Sequence, residues 1–381
     1  MEIRAAVARP PGVFSLETVE LDAPRAGEAL VRIVAAGLCH TDVAALDQHL
    51  PYPLPAVLGH EGVGFVEAVG DGVTRLAPGD AVVLTYGACG VCANCQSGRP
   101  AYCLQSRRLN FAPCRPDGSC SHHALGRPLS AGFFGQSSFA THALVRERNA
   151  VKVPGAVTAD ELATLAPLGC GVQTGAGAVL NVLKPAVGST VAIFGMGAVG
   201  LSAVLAAKLA GCSRIVAVDL HAGRLDLAAE LGATDLVRAG DGPAGPQVQA
   251  RVAGGTDFAV EATGIPSVMA DAVASTHRTG TTVLLGLAAA GSSVTFDASL
   301  LLSGRTVRSS IEGDGVPEVF IPRLIALHRA GSLPFDRFCR HYPVDAINDA
   351  VADCRRGDTI KPILHMDAGD FRRFGRSSAA A

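Results

Sequence analysis

The run from residue 189 to residue 210 limits the possible folds more than any other stretch of this chain. Residues 189–194 are uncharged, apolar from Val191 on, and of strand length. Gly195-Met196-Gly197-Ala198-Val199-Gly200 then opens an Ala/Leu-rich helix reaching about Ala210. An uninterrupted apolar strand is buried on both faces, as in a parallel sheet covered by helices. A second such strand, 214–218, ends in Asp219, nineteen residues after Gly200, and a helix follows over about 222–231. Further strands fit 258–261 and 281–286, with helix-like segments between, so this region reads as α/β with a doubly wound parallel sheet. G-x-G-x-x-G alone is weak evidence in a chain with 44 glycines. Between strand and helix, with an acid at this distance, it matches the dinucleotide-binding pattern. Gly195, Gly197 and Gly200 permit the tight turn, close approach of a pyrophosphate and helix–strand packing. The helix start at Ala198-Val199 offers free N–H groups to phosphates. Asp219 would accept hydrogen bonds from ribose hydroxyls and repel a 2′-phosphate, which favours NAD over NADP. The neighbouring charges of His221 and Arg224 keep NADP open. The competing reading of Asp219 is a structural acid at a strand end.

The first 155 residues have a different texture. Strand-length runs at 29–35, 63–69, 80–84, 139–145 and 150–153 are closed by Gly and Pro, and helix signals are few. A mostly antiparallel, barrel-like β domain is expected. Among these strands lies Cys89-Gly90-Val91-Cys92-Ala93-Asn94-Cys95, followed by Cys103. Four thiolates within fifteen residues can close a tetrahedral zinc site with no open position, which makes it structural. An iron–sulfur cluster or redox thiols are the alternatives, but the bacterial cluster run ends in C-x3-C-P and this one does not. Residues 106–132 read as a polar, irregular surface loop, with Cys114 and Cys120 as bystanders and His122-His123 as a solvated pair.

A second ligand set is scattered. It comprises Gly37-Leu38-Cys39-His40-Thr41-Asp42, Leu58-Gly59-His60-Glu61-Gly62-Val63-Gly64 and Leu168-Gly169-Cys170-Gly171. Two cysteines and a histidine on glycine-bounded backbone suit a zinc ion with a free fourth position, the catalytic pattern. Taken singly, such a histidine is more often a surface or satisfied core residue. Thr158-Ala159-Asp160-Glu161 fits a capping box opening a helix to about 168, and a further helical stretch covers 175–183. After about residue 312 helices are expected at 317–330 and 345–354 and a strand at 360–364, and the tail 367–381 is expected to be disordered.

Composition excludes several classes. A net charge of −2 gives no sign of nucleic-acid or anionic-membrane binding, and the absence of Trp argues against a base-stacking platform. Two uncharged runs, 162–183 and 185–207, satisfy a hydropathy rule for membrane spans, but their glycine content favours buried α/β core. Eleven cysteines, an odd number, with no apolar signal core at the N-terminus, argue for metal or thiol use rather than a disulfide framework, and for a cytoplasmic protein.

From about Met1 to Met366 the chain resembles the zinc-dependent medium-chain alcohol dehydrogenases, and within them the aryl-alcohol (benzyl-alcohol) dehydrogenase group. The resemblance is carried by residues 37–42, 59–64, 89–103, 170–175, 195–200 and 300–306. The subgroup is suggested by Gly132-Phe133-Phe134-Gly135-Gln136-Ser137-Ser138-Phe139, by Glu312-Gly313-Asp314 and by Thr359-Ile360-Lys361-Pro362-Ile363-Leu364. It implies a GroES-like catalytic domain, 1–171 and 312–381, interrupted by a Rossmann domain, 172–311. It also implies two zinc ions per chain, NAD as cofactor and oxidation of a primary, aromatic or allylic alcohol. Cys39, His60 and Cys170 match the catalytic ligands, and Glu61 matches the acid that can approach the metal. Asp42 matches the carboxylate behind His60, and Thr41 the hydroxyl at the substrate oxygen. His40 and Lys361 match cofactor-phosphate contacts and Thr174 a residue beside the nicotinamide. Phe133, Phe134 and Leu287 match substrate-pocket positions. Ala44 stands where many relatives place a proton-relaying histidine. A dimer or tetramer is expected. The alternatives are a glutathione- or mycothiol-dependent formaldehyde dehydrogenase on the same fold and a non-catalytic NAD-binding protein.

Overall fold

The computed structural model describes residues 1–240 and 242–367. The expectation for the tail beyond residue 367 therefore falls outside the described residues. The chain forms two compact units. Of the described residues the first contains Met1–Cys170, Val316–Ile325 and 338–367, and the second contains those of Gly171–Gly315 and Ala326–Arg337. The return to the first unit thus comes at Val316 rather than at residue 312, and 326–337 falls in the second unit.

Within the first unit the described residues build two sheets. One runs in the order Ala56–Val57, Glu2–Arg9, Val13–Leu21, His122–Ala124, Arg127–Leu129. Its strands are antiparallel, with Glu2 opposite Glu20 and Arg9 opposite Val13 across a turn at Gly12 (φ 88°). The other runs Ala150–Lys152, Ala81–Leu84, Gly62–Val69, Glu28–Gly37, Lys361–His365, Cys339–Pro343, and His142–Arg146 also pairs with Glu28–Gly37. Every pair here is antiparallel except the last. That parallel pair is possible because the helix Ile347–Arg356 makes the crossover. The strand Cys339–Pro343 carries no alternating pattern, which is why the sequence did not announce it. Val31, Ile33, Leu58, Val82, Leu84 and Phe139 are fully or nearly fully buried in the core of this unit.

Residues 106–132 are more ordered than a polar loop. They contain a helix, Ser106–Asn110, and the hairpin His122–Ala124/Arg127–Leu129. Cys114 and Cys120 are not bystanders but form a disulfide. Arg115 is fixed by Asp22 at 2.6 Å and Glu28 at 2.8 Å. His122 is buried rather than solvated, with Nδ1 2.9 Å from Ser121 Oγ, and burial pushes its pKa down to about 4.

The second unit holds six parallel strands in the spatial order Asp235–Arg238, Arg214–Asp219, Thr190–Phe194, Thr256–Glu261, Thr276–Leu284, Thr306–Ser309. Counted along the chain this is 3-2-1-4-5-6, the order of the dinucleotide-binding doubly wound fold. The order reverses between Thr190–Phe194 and Thr256–Glu261, and the glycine turn sits at the carboxyl end of the first of these. Gly195 has φ 91°. A Cβ on Gly200 would lie 1.8 Å from the Gly195 carbonyl oxygen, so only glycine lets the helix Ala198–Leu209 start there. The apolar runs at 162–183 and 185–207 are broken into short helices and a strand. No helix among the described residues is long and apolar enough to cross a membrane.

Candidate active site and metal centres

The helix His40–Leu46 begins at Cys39, whose N–H donates to Asp42 Oδ2 at 2.9 Å. The other oxygen of Asp42 accepts from the N–H of Gly59 at 3.1 Å and lies 2.9 Å from His60 Nδ1. Both side chains are fully buried. Asp42 therefore fixes the ring through Nδ1 and leaves Nε2 available to a metal ion. Nε2 is itself buried, with no hydrogen-bond partner among the described residues. One ligand atom from each of Cys39, His60, Glu61 and Cys170 lies within 4.8 Å of the others. The Cys170 thiol, together with the Lys361 ammonium, holds Cys39 well below the usual thiol range despite burial. Burial opposes a charge on His60, but the Asp42 carboxylate outweighs it and raises the imidazole. A thiol poised as thiolate, a second sulfur and an orphaned imidazole nitrogen are donors that zinc satisfies. Gly37 is required here because a Cβ would come within 2.0 Å of Glu61 Oε2.

Burial pushes the Glu61 carboxyl up, against the pull of Lys361. Lys361 Nζ donates to Glu61 Oε1 at 3.0 Å, to Glu61 Oε2 at 2.9 Å and to the Leu38 carbonyl at 3.3 Å. All three of its N–H groups are used on these contacts. The resemblance implied a phosphate contact for Lys361, but the structure buries its ammonium against the metal cluster.

Two rings meet His60, and two more pack behind them. Phe134 stacks on His60 with centroids 4.4 Å apart, and Phe133 meets it edge-on at 5.7 Å. Tyr52 and Phe111 pack on Phe133 at 5.1 and 6.3 Å. Phe133 is fully buried, whereas Phe134 is half-buried. Thr41 is half-buried, with Oγ1 3.8 Å from Cys39 Sγ. Ala44 is buried on the same helix, and His49 is exposed beyond it.

The sulfurs of Cys89, Cys92, Cys95 and Cys103 also lie within 4.8 Å of one another. Cys92 Sγ is 3.5 Å from Cys95 Sγ and 4.0 Å from Cys103 Sγ. Backbone N–H groups of Cys92, Cys89 and Gln105 point at these sulfurs at 3.3–3.4 Å. The Leu104 and Cys95 N–H groups bring the Cys92 thiol down to about 6. Four thiols turned toward one point fit a closed zinc site.

In the second unit Gly197 caps the helix Ala198–Leu209, and its Cβ position faces open space, leaving room for a phosphate beside the free N–H groups from Ala198 to Gly200. Asp219 Oδ2 accepts from Met196 N at 2.6 Å and Oδ1 from His221 N at 2.8 Å. Arg224 Nε is buried without a partner among the described residues. Leu287 and His40 are exposed. Thr174 Oγ1 donates to Glu312 Oε2 at 3.3 Å, and Gln173 Nε2 to the same oxygen at 3.0 Å. No role was expected for Glu312, nor for Thr85, Gln136 and Asn149, which lie behind the backbone that carries His60 and Cys170. Gln136 was visible only inside the stretch from Gly132 to Phe139.

A metal-polarising centre on one unit and a dinucleotide fold on the other define a zinc- and nicotinamide-dependent oxidoreductase. The alcohol dehydrogenase GroES-like domain family matches residues 25–155, and the zinc-binding dehydrogenase family matches 198–328. A geraniol dehydrogenase of Castellaniella defragrans is 45% identical over 365 residues, 95% of this chain and 97% of that protein. The crystal structure of a zinc-binding alcohol dehydrogenase domain protein from Burkholderia ambifaria superposes with TM-score 0.93 at 49% identity, covering 96% of this chain and 99% of that one. That of benzyl alcohol dehydrogenase from Acinetobacter calcoaceticus superposes with TM-score 0.92 at 43% identity, covering 96% and 100%. The chain belongs to the zinc-dependent medium-chain alcohol dehydrogenase family, in its aryl-alcohol-like branch. It is an alcohol oxidoreductase whose cofactors are zinc and a nicotinamide dinucleotide.

Proposed function

We propose that the protein oxidises primary aromatic or allylic alcohols to aldehydes with NAD⁺, and runs the reverse reduction. The observation that carries the substrate class is the Phe134 ring lying 4.4 Å over His60, at the edge of an aromatic cluster. The names of the geraniol and benzyl alcohol dehydrogenases it resembles support the same class. Cys39, His60 and Cys170 would hold the catalytic zinc, with Glu61 beside it, and Cys89, Cys92, Cys95 and Cys103 the structural one. When bound, zinc lowers the pKa of the alcohol and NAD⁺ accepts the hydride. Thr41 takes the alcohol proton, Asp42 holds the His60 ring, and Phe134 provides a flat apolar wall. His40, the Gly195–Gly200 turn and Arg224 serve the phosphates and ribose, Asp219 the ribose hydroxyls, and Thr174 the nicotinamide side. We infer a cytoplasmic homo-oligomer. The edge strand Thr306–Ser309 and the exposed Leu302 favour a partner copy.

The test is kcat/KM across benzylic, allylic and aliphatic alcohols, with formaldehyde assayed with and without added glutathione. Benzyl and allylic alcohols should exceed ethanol, and no oxidation should depend on thiol. An aromatic contact is worth about 0.5–1.5 kcal/mol. Phe134→Ala should therefore lower the benzyl alcohol to ethanol ratio by roughly two- to tenfold. Phe133→Ala should instead cost about 3–5 kcal/mol of stability, as a buried ring lost from a core does. An unchanged ratio in Phe134→Ala would remove this residue from the pocket.

Cofactor choice is testable at Asp219. Like charges brought together across an interface cost several kcal/mol. Asp219→Ser should therefore lower the NAD to NADP ratio of kcat/KM by roughly tenfold or more. A wild type that turns over NADP better than NAD would contradict the assignment.

A further inference from the structure

Behind the zinc ligands lies a set of buried polar side chains that the proposed reaction does not use. Gln136, Thr85 and Asn149 are all 2% exposed or less. Gln136 Nε2 donates to the His60 carbonyl at 2.8 Å, and Gln136 Oε1 accepts from Gly62 N at 3.1 Å, so this side chain brackets the His60–Gly62 backbone. Gln136 Nε2 also reaches the Thr85 carbonyl at 3.4 Å. Thr85 Oγ1 donates to the carbonyl of Gly169, immediately before Cys170, at 2.8 Å. Asn149 Nδ2 donates to the carbonyls of Thr85 at 3.2 Å and Phe134 at 3.0 Å.

The backbone is pressed close on both sides of this set. A Cβ on Gly169 would lie 2.2 Å from the Leu84 carbonyl oxygen, and one on Gly62 would lie 2.6 Å from Ser138 Cβ. Phe134 and Ser137 sit in the left-handed region at φ 50° and 49°. For residues with side chains such conformations cost about 1–3 kcal/mol each and persist only where the surroundings over-determine them. Here Asn149 fixes the Phe134 carbonyl, and Ser137 Oγ accepts from Phe133 N at 3.1 Å.

We propose that Gln136, Thr85 and Asn149 form a polar frame that sets the spacing between the His60 and Cys170 ligands, making Gln136 and Thr85 positioning residues for the catalytic zinc. Gln136 holds the histidine segment from behind, and Thr85 holds the segment that carries Cys170. The amide of Gln136 links the two. Buried hydrogen bonds of this kind are expensive to break, because the partner carbonyl is left without a donor. The frame therefore resists any drift of one ligand relative to the other. The inference rests on the ligand assignment above, and the experiment separates the two.

Zinc release into a chromogenic chelator is followed on the purified holoenzyme, with wild type expected to lose two ions in two phases. Cys170→Ser should abolish one phase and so identify it. Thr85→Val keeps the side-chain shape and removes the hydroxyl donor. Losing a group behind a metal ligand costs roughly 10–100-fold in metal affinity, and carried by the off-rate this should speed that same phase by about the same factor. The four-cysteine phase should not change. Thr85→Ser keeps the donor and should release zinc at the wild-type rate. Gln136→Glu, which retains the Gly62 acceptor but loses the donation to His60, should act like Thr85→Val. If Cys170→Ser leaves both phases intact, the ligand assignment fails. If Cys170→Ser behaves as expected but Thr85→Val and Gln136→Glu accelerate neither phase, or both phases equally, the frame has no positioning role.

Discussion

Cys170→Ala is expected to remove one of two zinc ions per chain and to take alcohol oxidation below detection while the fold persists, whereas Cys92→Ala removes the other ion and lowers the unfolding midpoint first. The difference follows from what holds each site in place. Around Cys170 the ligand geometry is fixed by protein groups: Asp42 on His60, Lys361 on Glu61, Thr85 on Gly169. These contacts do not depend on the metal, so losing one thiol removes the chemistry and leaves the scaffold. The lobe of residues 89–103 has less such support, chiefly the Asn94 Nδ2 bond to the Tyr102 carbonyl at 2.6 Å. Its helix Ala93–Gln96 buries no residue, and the short turn Pro100–Tyr102 buries only Ala101. Four sulfurs 3.5–4.0 Å apart are what brings this lobe together. In peptides where zinc supplies the folding energy it contributes about 10–16 kcal/mol at neutral pH, and an open lobe exposes the unit to cooperative unfolding. Metal analysis and thermal melts of the two variants decide the matter. One zinc per folded wild-type chain would overturn the expectation.

What could be read in the sequence, and what could not, separates by distance along the chain. The Cys89–Cys103 set and the Gly195–Gly200 turn declare themselves because their donors are nearly consecutive and each glycine answers a local steric demand. Continuous apolar runs place the strands Thr190–Phe194 and Arg214–Asp219 within a residue of the expected bounds. The frame behind the zinc ligands leaves no such trace. Gln136 meets His60 across 76 positions, and Thr85 meets Gly169 across 84. A glutamine bonded to a carbonyl has the same sequence signature as one facing solvent. The disulfide Cys114–Cys120 was missed for another reason, since counting cysteines gives their parity and not their pairing. Phe133 and Phe134 are neighbours of the same type, and only the left-handed turn at Phe134 separates a core ring from one lying over the histidine.

Lys361→Met is expected to cost about 3–5 kcal/mol of stability, the range for removing one partner of a buried ion pair. Side-chain exposure is 3% for Lys361 and 0% for Glu61, so bulk solvent does not stand in for the lost ammonium. Glu61 would keep a carboxylate in a site where burial already disfavours its charge, and the Leu38 carbonyl would lose a donor. Removing both charges should cost less than the sum of the single changes, because an apolar pair leaves no orphaned charge. Glu61→Leu combined with Lys361→Met should therefore recover part of the loss, and denaturant unfolding of the four proteins measures the coupling. The experiment also decides between the two places assigned to this lysine. A phosphate contact would be exposed to the cofactor, and its loss would raise the KM for NAD while leaving the unfolding midpoint alone. A buried counter-charge to Glu61 gives the opposite pattern, a lowered midpoint that the second substitution relieves. A Lys361→Met protein with the wild-type midpoint and a raised KM for NAD would return Lys361 to the cofactor, and Glu61 would then need another cation to explain its burial.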